Sequence, residues 1–205
     1  MIKTTSSLLS KLTLAALMAA APAVYAQTTP VKFTSEPNKT LAEAHESFVK
    51  KNMNASAEQI HKAADYVKQQ SDKVAEASKA GVKKASDELD KLGDGVKAGT
   101  VKSEAEMKQT FAKVNQQMAK CWHQTAAESK KAGKDANAEL KKAGSSLSAS
   151  AKWSGQKLDE GTKASLDAMK KAGKATDAGV KASSEDVDRW FKSIGEGIDN
   201  LGHKL

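Results

Sequence analysis

The chain has 205 residues, with 33 Lys+Arg against 25 Asp+Glu and a formal charge of +8. Hydrophobic residues make up 39% and aromatics 4%, and Arg189 is the single arginine. Such a chain has too few β-branched and aromatic side chains to fill a sheet, which argues against a β-sandwich or an α/β enzyme and for a polar, all-α protein.

The first 26 residues read as a secretory signal peptide. Lys3 and Lys11 form the basic start, residues 12–21 are apolar apart from Thr13, and Val24-Tyr25-Ala26 offers small residues before Gln27. The apolar run is shorter than the ~20 residues of a membrane span. The expected location is therefore the periplasm or the outside of a cell. Residues 27–39 carry Pro30 and Pro37 among Thr, Ser and Asn, and read as a flexible leader. The helical region is then expected over residues 40–205.

Thr40-Leu41-Ala42-Glu43 has the form of a capping box and predicts a helix over residues 41–52. Ser56 is placed to cap a second helix over residues 56–92. From Ile60, the positions Ala64, Val67, Ser71, Val74, Ser78, Val82, Ala85, Leu89, Leu92 and Val96 follow at a mean spacing of about 3.6, the α-helical period. Gly93, Gly95 and Gly99 predict a break over residues 93–102. Ser103-Glu104-Ala105-Glu106 is a second capping box, expected to open a long helical region over residues 104–182.

That region carries an 11-residue repeat. Val114, Thr125, Ala136, Leu147, Leu158, Met169, Val180 and Phe191 lie eleven apart, and Gly133, Gly144 and Gly155 share the interval. Eleven residues make three turns of about 3.67 residues, so the rows stay on one face of a nearly straight helix. Many of these positions hold Ala, Gly, Ser or Thr, which bury little apolar area. The expectation is long amphipathic helices forming an antiparallel hairpin or a loose elongated bundle, partly flexible. Within the rows, Lys131-Ala132-Gly133, Lys142-Ala143-Gly144 and Lys171-Ala172-Gly173 resemble the group 3 late-embryogenesis-abundant proteins and the exchangeable apolipoproteins. The resemblance spans about residues 57–205. It implies an amphipathic helical chain that binds lipid or protects other surfaces, and it assigns no functional residue.

Ser183 and Ser184 can cap a last helix over residues 184–203, with Glu185, Asp186 and Asp188 at its positive end. Val187, Trp190, Phe191, Ile194, Ile198, Leu201 and Leu205 gather here as the largest concentration of bulky apolar side chains. They are the candidate docking face for a membrane or partner; the other reading packs them on the chain's own apolar stripe.

Chemistry is sparse. His45, His61, His123 and His203 are scattered, and no HExxH, CxxC or GxSxG occurs. Gly93-Asp94-Gly95-Val96-Lys97-Ala98-Gly99 lacks the preceding strand and the GK[ST] ending of a phosphate loop. Cys121 and His123 are two residues apart and point in different directions on a helix. A non-enzymatic protein with no cofactor and no metal is expected. Cys121, the single cysteine, is a candidate for an intermolecular disulfide in an oxidising compartment. Nucleic acid is an unlikely partner, because the lysines are interleaved with acids and arginine is nearly missing. Two functions remain: binding of anionic lipid or polysaccharide at the cell envelope, or a structural or chaperone-like role in which the chain forms a homo-oligomer or holds client proteins. The signal-peptide reading predicts an exported form beginning at Gln27, which mass spectrometry of that form checks directly.

Overall fold

The computed structural model describes residues 33–176 and 182–205, with side chains left out for residues 173–176. The expected signal peptide and the first part of the expected leader lie outside the described residues. Among the described residues every regular element is helical. The α-helices are α1 (Asn38–Val49), α2 (Met53–Lys68), α3 (Lys79–Lys97), α4 (Glu104–Lys131), α5 (Asn137–Ser154), α6 (Glu160–Thr176) and α7 (Ser184–Gly202).

The starts of the helices follow local chemistry. The side chain of Asn52 accepts from the N–H of Ala55 at 3.3 Å and caps α2. The hydroxyl of Ser103 accepts from Glu106 N–H at 3.2 Å, while a Glu106 carboxylate oxygen accepts from Lys102 N–H at 3.3 Å. This is the anticipated capping box, with its return bond placed one residue earlier. Ser183 accepts from Asp186 N–H at 3.1 Å. Asp159 accepts from the backbone of Thr162 at 2.8 Å and from its hydroxyl at 2.7 Å. Those bonds hold the Asp159 carboxyl below its usual range.

Two starts differ from expectation. The helix begins at Asn38 rather than near Leu41, and Glu36, not Glu43, bonds the hydroxyl of Thr40 at 2.7 Å. Ser56 does not cap; it lies buried inside α2 and donates to the carbonyl of Ala44 at 2.8 Å, tying α2 to α1. The end of the expected leader is also anchored, because Phe33 stacks on Trp153 with ring centroids 5.1 Å apart.

The ends of α3, α4 and α5 share one device. Gly99, Gly133 and Gly155 adopt φ of +69°, +66° and +68°. In each case the next N–H reaches back five residues: Thr100 to Gly95 at 2.8 Å, Lys134 to Ser129 at 2.9 Å, and Gln156 to Ala151 at 3.0 Å. These are Schellman endings, which only glycine adopts without a Cβ penalty. The first places the break after Lys97, later than Gly93 suggests. The other two divide the expected long helix over residues 104–182 into α4, α5 and α6. The 11-residue rows therefore do not run along one straight helix.

The expected helix over residues 56–92 is divided as well. After α2 come two short 3₁₀ turns, Ser71–Lys73 and Glu76–Ser78, before α3 begins. The interruption is held from outside: Ala75 N–H donates to Thr125 at 3.0 Å, and the hydroxyl of Ser78 donates to the carbonyl of Cys121 at 3.2 Å. Both acceptors are on α4.

One continuous apolar core draws on all seven helices. Phe111, Leu41, Ile60, Leu89, Met107, Leu140, Leu147 and Ile194 are among its largest fully buried side chains. The most extensive pairing is α4 with α5, followed by α2 with α3 and α1 with α2. Ser150 on α5 donates to Ala112 on α4 at 2.7 Å, and Lys142 sits over the ring of Trp122 at 4.0 Å. The two helices therefore run in opposite directions. Gly144 permits close approach elsewhere: a Cβ there would lie 2.5 Å from Leu166 and 2.9 Å from Met169 on α6.

A buried polar knot crosses this core. Asn38 donates to Asn115 at 2.8 Å, Asn115 donates back at 2.9 Å, and the indole N–H of Trp153 reaches Asn38 at 3.0 Å. Asn115 also donates to the carbonyl of Phe111 at 2.9 Å. Asn115→Ala removes two of Asn38's three bonds in this knot and leaves its amide nitrogen buried without that partner. A loss of about 1–3 kcal/mol is expected, to be measured by urea denaturation.

Candidate functional site

The bulky residues of α7 fall on its inner face. Trp190, Ile194, Ile198 and Leu201 are all at most 3% exposed. Val187, Phe191 and Leu205 are partly buried against the same core. The helix packs on α4, α5 and α6, so this face is not presented for docking. The physical reason lies in its partners. Gly197 brings its backbone so close to α6 that a Cβ would meet Thr162 at 2.7 Å. His123 on α4 stacks on Phe191 at 4.1 Å and bonds its carbonyl at 2.9 Å.

Cys121 is equally enclosed. It is 2% exposed, its thiol donates to the carbonyl of Ser78 at 3.5 Å, and burial pushes its pKa up. Gly81 faces it, where a Cβ would stand 2.7 Å from the sulfur. The thiol is thus part of the α3–α4 seam. The intermolecular disulfide expected from its compartment has no exposed sulfur to start from in this fold.

Three of the four histidines join helix pairs rather than form a site. His61 on α2 lies between Asp90 at 3.0 Å and Asp94 at 3.3 Å on α3. Gly93 makes room for the ring, since a Cβ there would be 2.8 Å from it. His45 on α1 meets Glu104 on α4 at 3.1 Å and the edge of Trp153 at 5.9 Å. Burial, with the nearby Lys108 cation, holds the pKa of His45 below its ordinary value despite the Glu104 bond. His123 joins α4 to α7, as above. Among the described residues no three His, Cys, Asp or Glu side chains gather as metal ligands would. Nor is any described helix long and apolar enough to cross a membrane.

What reaches the surface is charge. Val49 is the one exposed large hydrophobic among the described residues. Most ion pairs are local, one helical turn apart, such as Lys50–Glu46 at 2.6 Å and Lys83–Asp87 at 2.6 Å. Exposed pairs of this kind are screened by water, contribute little to stability and leave the lysines accessible. From the last residue of α4 through α5, Lys131, Lys134, Lys141, Lys142 and Lys152 are exposed and have no ion-pair partner among the described residues. Lys142 and Lys152 rest instead on aromatic faces, Trp122 at 4.0 Å and Phe33 at 5.3 Å. These contacts fix the stems while the ammonium groups stay wet. The individual lysines were visible in the sequence, but their accumulation along one helix beside Phe33 was not.

The interior reading of α7 has a direct check. Trp190→Ala should destabilise the whole fold by about 3–5 kcal/mol in one cooperative thermal transition. The Trp190 indole N–H has no hydrogen-bond partner among the described residues. Trp190→Phe should therefore cost far less than Trp190→Ala in the same melting experiment. Comparison with known proteins finds no matching family model, no matching curated protein and no matching solved structure.

Proposed function

We propose that this is an exported, non-enzymatic helical protein that binds anionic surfaces of a cell envelope, lipid headgroups or acidic polysaccharide, through its lysines. The observation that carries the reading is the run of exposed, unpaired lysines along α5 and the turn before it. Lys130, Lys141, Lys152 and Lys163 recur at eleven-residue intervals, and we take an 11-residue unit, folded here into a loose helical bundle, as the origin of this spacing. The similarity in period to late-embryogenesis-abundant proteins and apolipoproteins supports surface binding of this kind. The mode differs from apolipoprotein-like insertion, because the apolar stripes already face one another. Attraction between a cationic protein and an anionic surface acts over a Debye length of about 10 Å at 0.1 M salt and about 3 Å at 1 M.

Sedimentation with phosphatidylglycerol vesicles tests the proposal. Binding should be strong at low salt, weak to phosphatidylcholine and lost at high salt. Circular dichroism should show little gain of helix on the vesicles. A large helical gain would favour insertion of an opened chain. A defined oligomer that holds unfolded proteins and ignores the vesicles would favour the chaperone-like role.

A further inference from the structure

Between α5, α6 and the segment entering α1 lies a groove of about 580 Å³. Sites for small molecules commonly enclose about 300–1,000 Å³. Its floor is apolar, made by Phe33, Ala149, Leu166 and Met169. The groove exists because α6 packs mainly on α7 and touches α5 sparsely, near Gly144. Its rim is cationic, with Lys141 and Lys152 on α5 and Lys170 on α6. Lys170 has a weak exposed partner, Asp167 at 3.4 Å. Among the described residues, Lys141 and Lys152 have no ion pair and no carboxylate lines this groove.

The wall between those two lysines is built from hydroxyls. Lys141, Ser145, Ser148 and Lys152 follow at steps of four, three and four, so they form one face of α5. Ser145 and Ser148 both line the groove. Past Lys141 a second depression, of about 300 Å³, continues toward Met118, Trp122 and Lys142, and shares Ser35, Asn38, Lys141 and Ser145 with the first. Glu36 lines that second depression, where its carboxylate accepts from the hydroxyl of Thr40. Apolar depth, hydroxyl donors and cations with no ion pair among the described residues thus meet in one elongated trough.

We infer that this trough binds a single-chain anionic amphiphile, its alkyl chain on Phe33, Leu166 and Met169 and its head at Lys141 and Lys152. The charge of the rim selects the head, and the floor selects the chain. A membrane surface presents only heads, so this site takes individual lipid molecules and goes beyond the surface binding proposed above. Ser148 is half-buried, and a larger side chain there fills the trough without entering the core.

The test is calorimetric titration of the purified protein with dodecanoate below its micelle concentration. One molecule should bind per chain. Affinity should rise roughly fourfold per methylene from octanoate upward, as each CH₂ leaves water. Lys141→Gln with Lys152→Gln should weaken dodecanoate at least tenfold, and Ser148→Trp should abolish binding. Acetate should not bind, and dodecyltrimethylammonium should bind at least tenfold more weakly than dodecanoate. Absence of saturable dodecanoate binding overturns the inference, as does equal binding of the cationic amphiphile. Unchanged affinity in the double lysine variant also overturns it, and that variant decides alone if Ser148→Trp loses its thermal transition. Sedimentation of Ser148→Trp with anionic vesicles should match the wild type, so loss of the trough and loss of surface binding are read separately.

Discussion

The hydrogen-bonded knot of Asn38, Asn115 and Trp153 is the constraint on which the arrangement turns. It joins the start of α1, the middle of α4 and the end of α5, three points far apart in sequence. A buried amide pair costs free energy unless each donor and acceptor finds a partner, so these helices tolerate little sliding past one another. Once Trp153 is fixed, its faces are occupied in turn: Phe33 stacks on it, Phe111 meets it edge-on at 4.9 Å, and His45 closes a further side. The floor of the lysine-rimmed groove descends from the same knot, because Phe33 is held in place by Trp153 and Asn38 lines the groove.

A chain with few large apolar residues needs close approach to gain from packing. Glycine supplies it. Gly81, Gly93, Gly144 and Gly197 each sit where a Cβ would come within 3 Å of a facing side chain. Dispersion between atoms is weak singly and falls steeply with a gap, so backbones brought near recover what short side chains cannot reach. Gly99, Gly133 and Gly155 serve a different end, reversing the chain at positive φ. The same residue type thus builds both the turns and the contacts they bring about.

The functional reading follows from what this packing leaves outside. With the apolar face of each helix turned inward, the surface is dominated by lysines whose partners are local and exposed, or missing among the described residues. In the function proposed above, charge is the means of attachment to a large surface, and the apolar floor beside α5 sets chain and head of a lipid side by side among the described residues. Burial of the α7 stripe and of Cys121 withdraws from the surface two features that the sequence alone offers to partners.

The all-α class was legible from composition and period alone, because a spacing near 3.6 and a shortage of sheet-forming residues leave little choice. The caps at Ser103 and Ser183 and the extent of α7 were legible too, since capping depends on neighbours in sequence. The division of the two long helices was not. Gly133, Gly144 and Gly155 are equivalent by spacing, yet Gly133 and Gly155 end helices at positive φ while Gly144 stays helical inside α5 against Leu166 and Met169, a difference that depends on contacts made across the fold. The turns between α2 and α3 carry neither glycine nor proline, and the apolar period runs through them unbroken; bonds from α4 to Ala75 and Ser78 hold the bend. Whether Val187 to Leu205 faces inward or outward was likewise undecided by the chain itself. An amphipathic stripe specifies that one face must be covered, while the identity of the cover depends on which surfaces the tertiary fold brings against it.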